Sequence, residues 1–247
     1  DLNEVEETVA LNTMGTIMHD VLDEMYKPHI GVFLREEDIL AMIGIMKILL
    51  LKYFKKHYKE GNIETGKNKL IFEVSKNYIH RFLKQELKLL QEGRKLKILA
   101  TEEKLIADLY VDGVDFPIKL KGIVDRIDEL DGIVRIIDYK TGKVDRSQLK
   151  VNEFGLVRKD FKYTKAMQVM LYSYLYTSKT LVKLGKLESG IISFKNLNAG
   201  FLKMNFSEKR VEDNLISMER IQEFMEEIQL LIKEILNPET PFIENKN

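Results

Sequence analysis

The chain contains no cysteine, and that absence excludes any disulfide, thiol nucleophile, Cys-ligated zinc or iron–sulfur cluster built from its own residues. A metal held here must sit on oxygen and histidine ligands. Net charge is missing too: 39 Lys and Arg balance 39 Asp and Glu, so overall basicity gives no argument for nucleic-acid binding and local distribution must carry the question. No apolar run reaches bilayer length. The longest, Ile39–Leu51, is broken by Lys47 and falls short of the roughly 18 to 20 residues a span requires. Asp1–Glu4 begin neither a basic segment nor an apolar one, so no secretory signal is read there, and without an initiator methionine the chain reads as a piece of a longer protein. No Walker-type Gly-Lys-Ser/Thr loop occurs, which argues against ATPase activity. Repeats of solenoid length and low-complexity linkers are also missing.

What is present suffices for one core: 247 residues, 45% of them hydrophobic, are expected to form a single domain over 1–247. Val9, Leu11, Met14, Ile17, Met18, Val21, Leu22 and Met25 follow helical spacing and predict a helix from Val5 to Tyr26, closed by Pro28. Glu36–Tyr58 and Lys69–Glu92 repeat that pattern around a polar stretch at 61–68, which makes 36–93 a helical insertion. Then the character changes. Ile98–Val111, Phe116–Ile127 and Ile133–Tyr139 are β-branched runs separated by Asp-Gly turns at 112–113 and 131–132, the pattern of a meander. A helix over Lys165–Leu184, a hairpin from Ser189–Leu197 and Gly200–Phe206, and an amphipathic helix over Val211–Leu236 follow, while 143–163 lacks periodicity. The fold class expected is α/β, with a core at 5–27 and 96–206 and a covering helix at 208–236. That helix would lay Ile216, Ile221, Phe224, Ile228, Leu231 and Ile235 on the sheet.

The third strand run ends Ile136-Ile137-Asp138-Tyr139-Lys140-Thr141-Gly142. A period of two places Asp138 and Lys140 on one face and Tyr139 on the other. Across the Asp131-Gly132 turn lies Asp125, which hairpin pairing can bring beside Asp138. Two strand carboxylates, with the backbone carbonyl of Tyr139 as a third oxygen, suit a hard cation such as magnesium, with manganese the alternative. Taken alone, Asp-x-Lys also describes an ordinary strand-end ion pair.

Company alters that reading. Gly15-Thr16-Ile17-Met18-His19 stands on the first helix, Gly122-Ile123-Val124-Asp125-Arg126-Ile127-Asp128 and Asp138-Tyr139-Lys140-Thr141-Gly142 on the strand pair, and Gln168-Val169-Met170-Leu171-Tyr172 on the next helix. In this order the four pieces resemble the PD-(D/E)XK nuclease superfamily, specifically the nuclease domains of RecB- and AddB-type recombination helicase-nucleases. The resemblance implies a restriction-endonuclease-like core, a mixed sheet with helices on both faces. It also implies that His19 is a metal ligand, that Gly15 allows close approach to its helix, and that Asp125 and Asp138 are the central carboxylates. Lys140 would position or deprotonate the attacking water and stabilise charge on phosphate. Gln168 and Tyr172, spaced i,i+4, would face the site together. Glu102 or its neighbour Glu103 matches the acidic residue of the first core strand, with Glu102 preferred. Arg126 alternates away from Asp125 and is assigned a structural ion pair.

By the same resemblance the activity is magnesium-dependent hydrolysis of DNA, as an exonuclease working from or near ends. Its setting would be the repair of double-strand breaks beside a helicase portion or partner subunit, in the cytoplasm at the nucleoid. A module that has lost its site and only binds DNA or scaffolds a partner is the alternative. The tail Asn237–Phe242 is similar to the stretch that in AddB-like proteins approaches an iron–sulfur cluster; no cysteine of this chain can hold one. Charge is uneven in a way that suits DNA. Residues 140–186 carry 11 Lys or Arg against three acidic residues, whereas 1–24 carry seven acidic residues and no basic one. Lys150, Arg158, Lys159, Lys162 and Lys165, interleaved with Phe154, Phe161 and Tyr163, read as a strip for a nucleic-acid backbone with rings for stacking.

Overall fold

The computed structural model describes residues 2–57, 65–180, 186–206, 213–239 and 241. Helix α1 (Leu2–Tyr26) runs into a short 3-10 turn at Lys27–His29, where Pro28 removes an amide and stops propagation. Helix α2 (Glu36–His57) opens on Glu36, Glu37 and Asp38 and closes on Lys55, Lys56 and His57, the charge order that suits a helix dipole. Helix α3 (Gly66–Gln91) packs on α2 and is followed by Gly93, whose φ of +80° lets the chain turn into the sheet. The strands are β1 (Leu96–Leu109), β2 (Ile118–Leu130), β3 (Ile133–Lys140), β4 (Leu187–Ser193) and β5 (Phe201–Lys203). Between β3 and β4 come α4 (Gly155–Lys159) and α5 (Thr164–Lys179); α6 (Met218–Leu236) closes the fold.

The sheet order is β1-β2-β3-β4-β5, with β3 and β4 parallel and every other pair antiparallel. A parallel pair needs a crossover, and α4 and α5 lie within it. β2 and β3 join through Asp131 and Gly132, both at positive φ (+52° and +83°), as a two-residue primed turn demands. Alternation on β3 and β4 sorts the core. Ile137, Tyr139 and Ile192 join a cluster with α1, α2 and α3, whereas Ile136 and Ile191 join a second cluster with α5 and α6. This is the expected α/β arrangement, a mixed sheet with helices on both faces.

Several boundaries moved. The first strand of the closing hairpin, expected to reach Leu197, ends at Ser193, because Phe194–Ala199 forms 3-10 turns. Residues 143–163, without periodicity, form the short α4 and 3-10 turns at Arg146–Leu149 and Phe161–Tyr163. The last helix begins at Met218, capped by the Ser217 side chain accepting from the Arg220 amide, and Leu215 instead bridges to Glu188. Ile235 is exposed and Met225 takes a core place beside Phe224 and Ile228. The expected starts at 208 and 211, the end of the crossover helix at 181–184, Tyr58 and Phe242 lie outside the described residues, as do the side chains of Val9 and Leu11.

Between the sheet and α3 sits a dry ionic knot. Arg126 is fully buried, with its guanidinium 2.8 Å from Glu86, 2.7 Å from Asp128 and 4.5 Å from the centre of the Tyr26 ring. Tyr26 donates its hydroxyl to Glu86, and Arg135 grips Asp128 with two bonds of 2.7 and 2.8 Å. The structural ion pair expected of Arg126 is present, with partners on α3 as well as on its own strand.

Candidate active site

Four elements converge at one end of the β2–β3 hairpin. α1 presents His19, whose Nδ1 lies 3.3 Å from Asp125 Oδ1 on β2 and 3.6 Å from Glu102 Oε1 on β1. Ligand atoms from these three residues all lie within 4.8 Å of one another, the one such group of His, Asp and Glu found among the described residues. Asp125 is oriented from β3, because the Tyr139 amide donates to its Oδ2 at 2.5 Å. Tyr139 thus engages the site through its N–H.

Local irregularity in both strands makes this convergence possible. A bulge interrupts β1 between Ile98 and Ala100, and Glu102 adopts φ of +45°, a left-handed conformation that a glutamate inside a strand rarely takes. The register on either side, Thr101 with Arg126 and Glu103 with Val124, sets Glu102 opposite Asp125. Strand β2 slips phase at the same level: Val124 packs with the α5 side while Arg126 packs with the α3 side, although strict alternation would keep them together. Glu103 is drawn away to Lys179 at 2.6 Å. Of the two glutamates, Glu102 is the one near His19.

Asp138 is 2% exposed, and its Oδ2 accepts no hydrogen bond among the described residues, although the Lys140 ammonium lies 2.8 Å away. On α5, Gln168 donates to the Tyr172 hydroxyl at 2.8 Å. Tyr172 fits against β2 because Gly122 has no side chain; a Cβ there would meet the ring at 2.6 Å. Gly15 is different. A Cβ on it would lie 3.8 Å from Thr141, an ordinary contact, so the close approach expected at Gly15 is not enforced by this neighbour.

Electrostatics report an excess of negative charge. Burial alone would lower the His19 pKa, but hydrogen bonds to Asp125 and Glu102 and the charge of both push it up to about 10. Burial and then the neighbouring Asp125 charge raise Asp138 to about 6, against the opposing pull of Lys140 and His19. Burial also pushes Tyr172 up to about 12, so its hydroxyl stays protonated. A divalent cation fits this donor set: one imidazole, converging carboxylates, and a buried Asp138 oxygen whose near partner is the Lys140 ammonium. His19 must be neutral to ligate, so metal and proton compete for it.

The basic strip is only partly as expected. Arg158 is bound by Glu227 at 3.1 Å and Glu234 at 2.8 Å of α6, and Phe154 and Tyr163 are buried in the core. Phe161, 85% exposed, keeps its ring in solvent, and Lys159 and Lys162 are exposed beside it.

The pattern that defines the PD-(D/E)XK nuclease superfamily matches residues 1–247. The chain belongs to that superfamily. No curated protein and no solved structure matches it. In this member of the PD-(D/E)XK nucleases, His19, Glu102 and Asp125 lie together and Lys140 pairs with Asp138. Sequence reasoning had not put Glu102 among the ligands, nor Glu86 beside Arg126. The first depends on a left-handed residue and the second on a helix–sheet contact, and neither leaves a local signal. No helix among the described residues is long and apolar enough to cross a membrane.

Proposed function

We propose that this PD-(D/E)XK protein is a metal-dependent DNA nuclease, an exonuclease domain of the RecB/AddB type that works with a helicase portion or partner subunit in double-strand break repair. The observation that carries the reading is the meeting of His19, Glu102 and Asp125 beside the Asp138–Lys140 pair. The motif order from Gly15 to Tyr172 supports the RecB/AddB assignment. His19, Glu102, Asp125 and Asp138 would hold magnesium or manganese, with the Tyr139 carbonyl a further proposed ligand. When bound, such an ion polarises the scissile phosphate and lowers the pKa of water.

The chain's own groups do the rest. Asp125 is held in place by the Tyr139 amide. Lys140, tethered to Asp138 at 3.0 Å, orients the attacking water and offsets charge developing on the phosphate. Tyr172, accepting from Gln168, keeps its own proton and can donate it to a phosphate oxygen. Exposed Lys159 and Lys162 contribute backbone attraction along the 140–186 stretch.

The test is digestion of end-labelled single- and double-stranded DNA in magnesium and in manganese, with Asp138→Ala and Lys140→Ala beside the wild type. Metal-dependent cleavage lost in both variants is the expected result, and mononucleotide release would identify an exonuclease. Binding with no cleavage in either metal would sink the nuclease reading and favour a scaffold.

A further inference from the structure

A cavity of about 370 Å³ opens next to the candidate active site, between the middle of α1 at Asn12 and Met14, the first turns of α3, and Thr141–Gly142 just past the end of β3. Its volume falls in the range of about 300 to 1,000 Å³ typical of small-molecule sites. Its position follows from chain geometry. Thr141 and Gly142 directly continue the strand that carries Asp138 and Lys140, and Asn12 lies on the same helix as His19, about two turns away, roughly 10 Å.

The lining is apolar below and basic at the rim. Met14 and Ile71 are buried, Val74 and Tyr78 half-buried, and Leu70 is 64% exposed at the mouth. Lys67 and Lys195 flank them, and no carboxylate is among the described lining residues. Tyr78 stacks on Phe194 at 6.4 Å between ring centres, and Phe194 in turn packs 5.5 Å from Tyr139, the residue between Asp138 and Lys140. An aromatic run therefore ties the floor of the cavity to the catalytic strand.

We propose that this cavity is a subsite for one unpaired nucleotide of the strand being cut, its base on the apolar floor and its flanking phosphates toward Lys67 and Lys195. The proposal rests on the nuclease reading and adds to it a substrate class: a strand whose bases are free to leave the stack near the scissile bond. An apolar floor with an aromatic ring accepts any base, while the two lysines at the rim favour phosphate. A stacked duplex presents no free base face to such a pocket.

The experiment measures equilibrium binding of the whole chain, in EDTA, to a fluorescein-labelled oligothymidylate, to a base-free strand of equal length and to a blunt duplex. Wild type, Leu70→Asp and the double variant Lys67→Ala/Lys195→Ala are compared, all exposed positions that leave the core intact. The expected result is a roughly five- to hundredfold preference of the wild type for bases over the base-free strand. Leu70→Asp should erase that preference, and the double variant should weaken both single strands while moving the duplex little. Equal affinity for the two single strands, no binding to either, or a Leu70→Asp variant that matches wild type would each overturn the proposal. Cleavage of the same strand in magnesium is read separately. Base preference without cleavage removes the nuclease reading and leaves the subsite; cleavage without base preference does the reverse.

Discussion

Two groups of buried charge lie a few residues apart on the same hairpin and behave oppositely. In the knot around Arg126, two arginines face Glu86 and Asp128, so the charges cancel, and burial is outweighed by Arg135 and Arg126, which hold Asp128 below its usual range. In the site, Glu102, Asp125 and Asp138 face Lys140 and His19, so even with His19 protonated one negative charge stays unmet. Asp138, raised first by burial and then by the Asp125 charge, shifts up to about 6. The difference teaches how to tell a structural ionic cluster from a reactive one. The first is fully buried and balanced, whereas the second, with Asp125 and Asp138 buried but Glu102 and Lys140 reaching solvent, is left short of cation.

The largest expected effect would widen that contrast. Asp138→Asn or Lys140→Ala should lower the cleavage rate by about a thousandfold or more, while a urea titration finds the folded state of Asp138→Asn no less stable than wild type. A loss of both activity and stability would merge the two clusters into one kind. Next, Arg126→Met should cost roughly 3 to 5 kcal/mol in the same titration, because Glu86 and Asp128 lose their shared cation.

Acid should then separate the two aspartates by sign. Asp138, raised from 3.8 to about 6, destabilises the metal-free fold fully above pH 6 and is relieved as pH falls toward 3.8. The relief, on the order of 3 kcal/mol, should vanish in Asp138→Asn. Asp128, lowered from 3.8, stabilises at neutral pH and loses that contribution only as pH falls below 3.8 through its folded value. Stability curves of Asp138→Asn and Asp128→Asn that diverge from wild type in the same pH window would defeat the distinction. The smallest effect is at Glu102. Its replacement by glycine should stabilise by about 0.5 to 1 kcal/mol, since φ of +45° suits glycine, while reducing metal affinity measured by calorimetry.

The fold was legible where a pattern is local. Helical spacing located α1, α2, α3 and α5, and the Asp131-Gly132 pair fixed the hairpin from which the Asp125–Asp138 juxtaposition follows. Lys140 beside Asp138 with Tyr139 turned away was legible from the two-residue period. What escaped depends on tertiary context. Rings on the basic strip read as available for stacking, yet Phe154 and Tyr163 were needed by a core that periodicity could not locate, and Arg158 was claimed by acids on a helix far along the chain. The close fit in this fold belongs to Gly122 under Tyr172, visible only once α5 is laid on β2.

The left-handed backbone at Glu102 also bears on how this protein would change under selection. Variants screened for thermostability alone should accumulate glycine at that position, because it relieves the conformation and discards a carboxylate crowded against Asp125. A screen that demands both folding and cutting should hold the glutamate in place. Position 102 can thus serve as a recorder: which residue survives there reports whether a population has been asked only to persist or also to work.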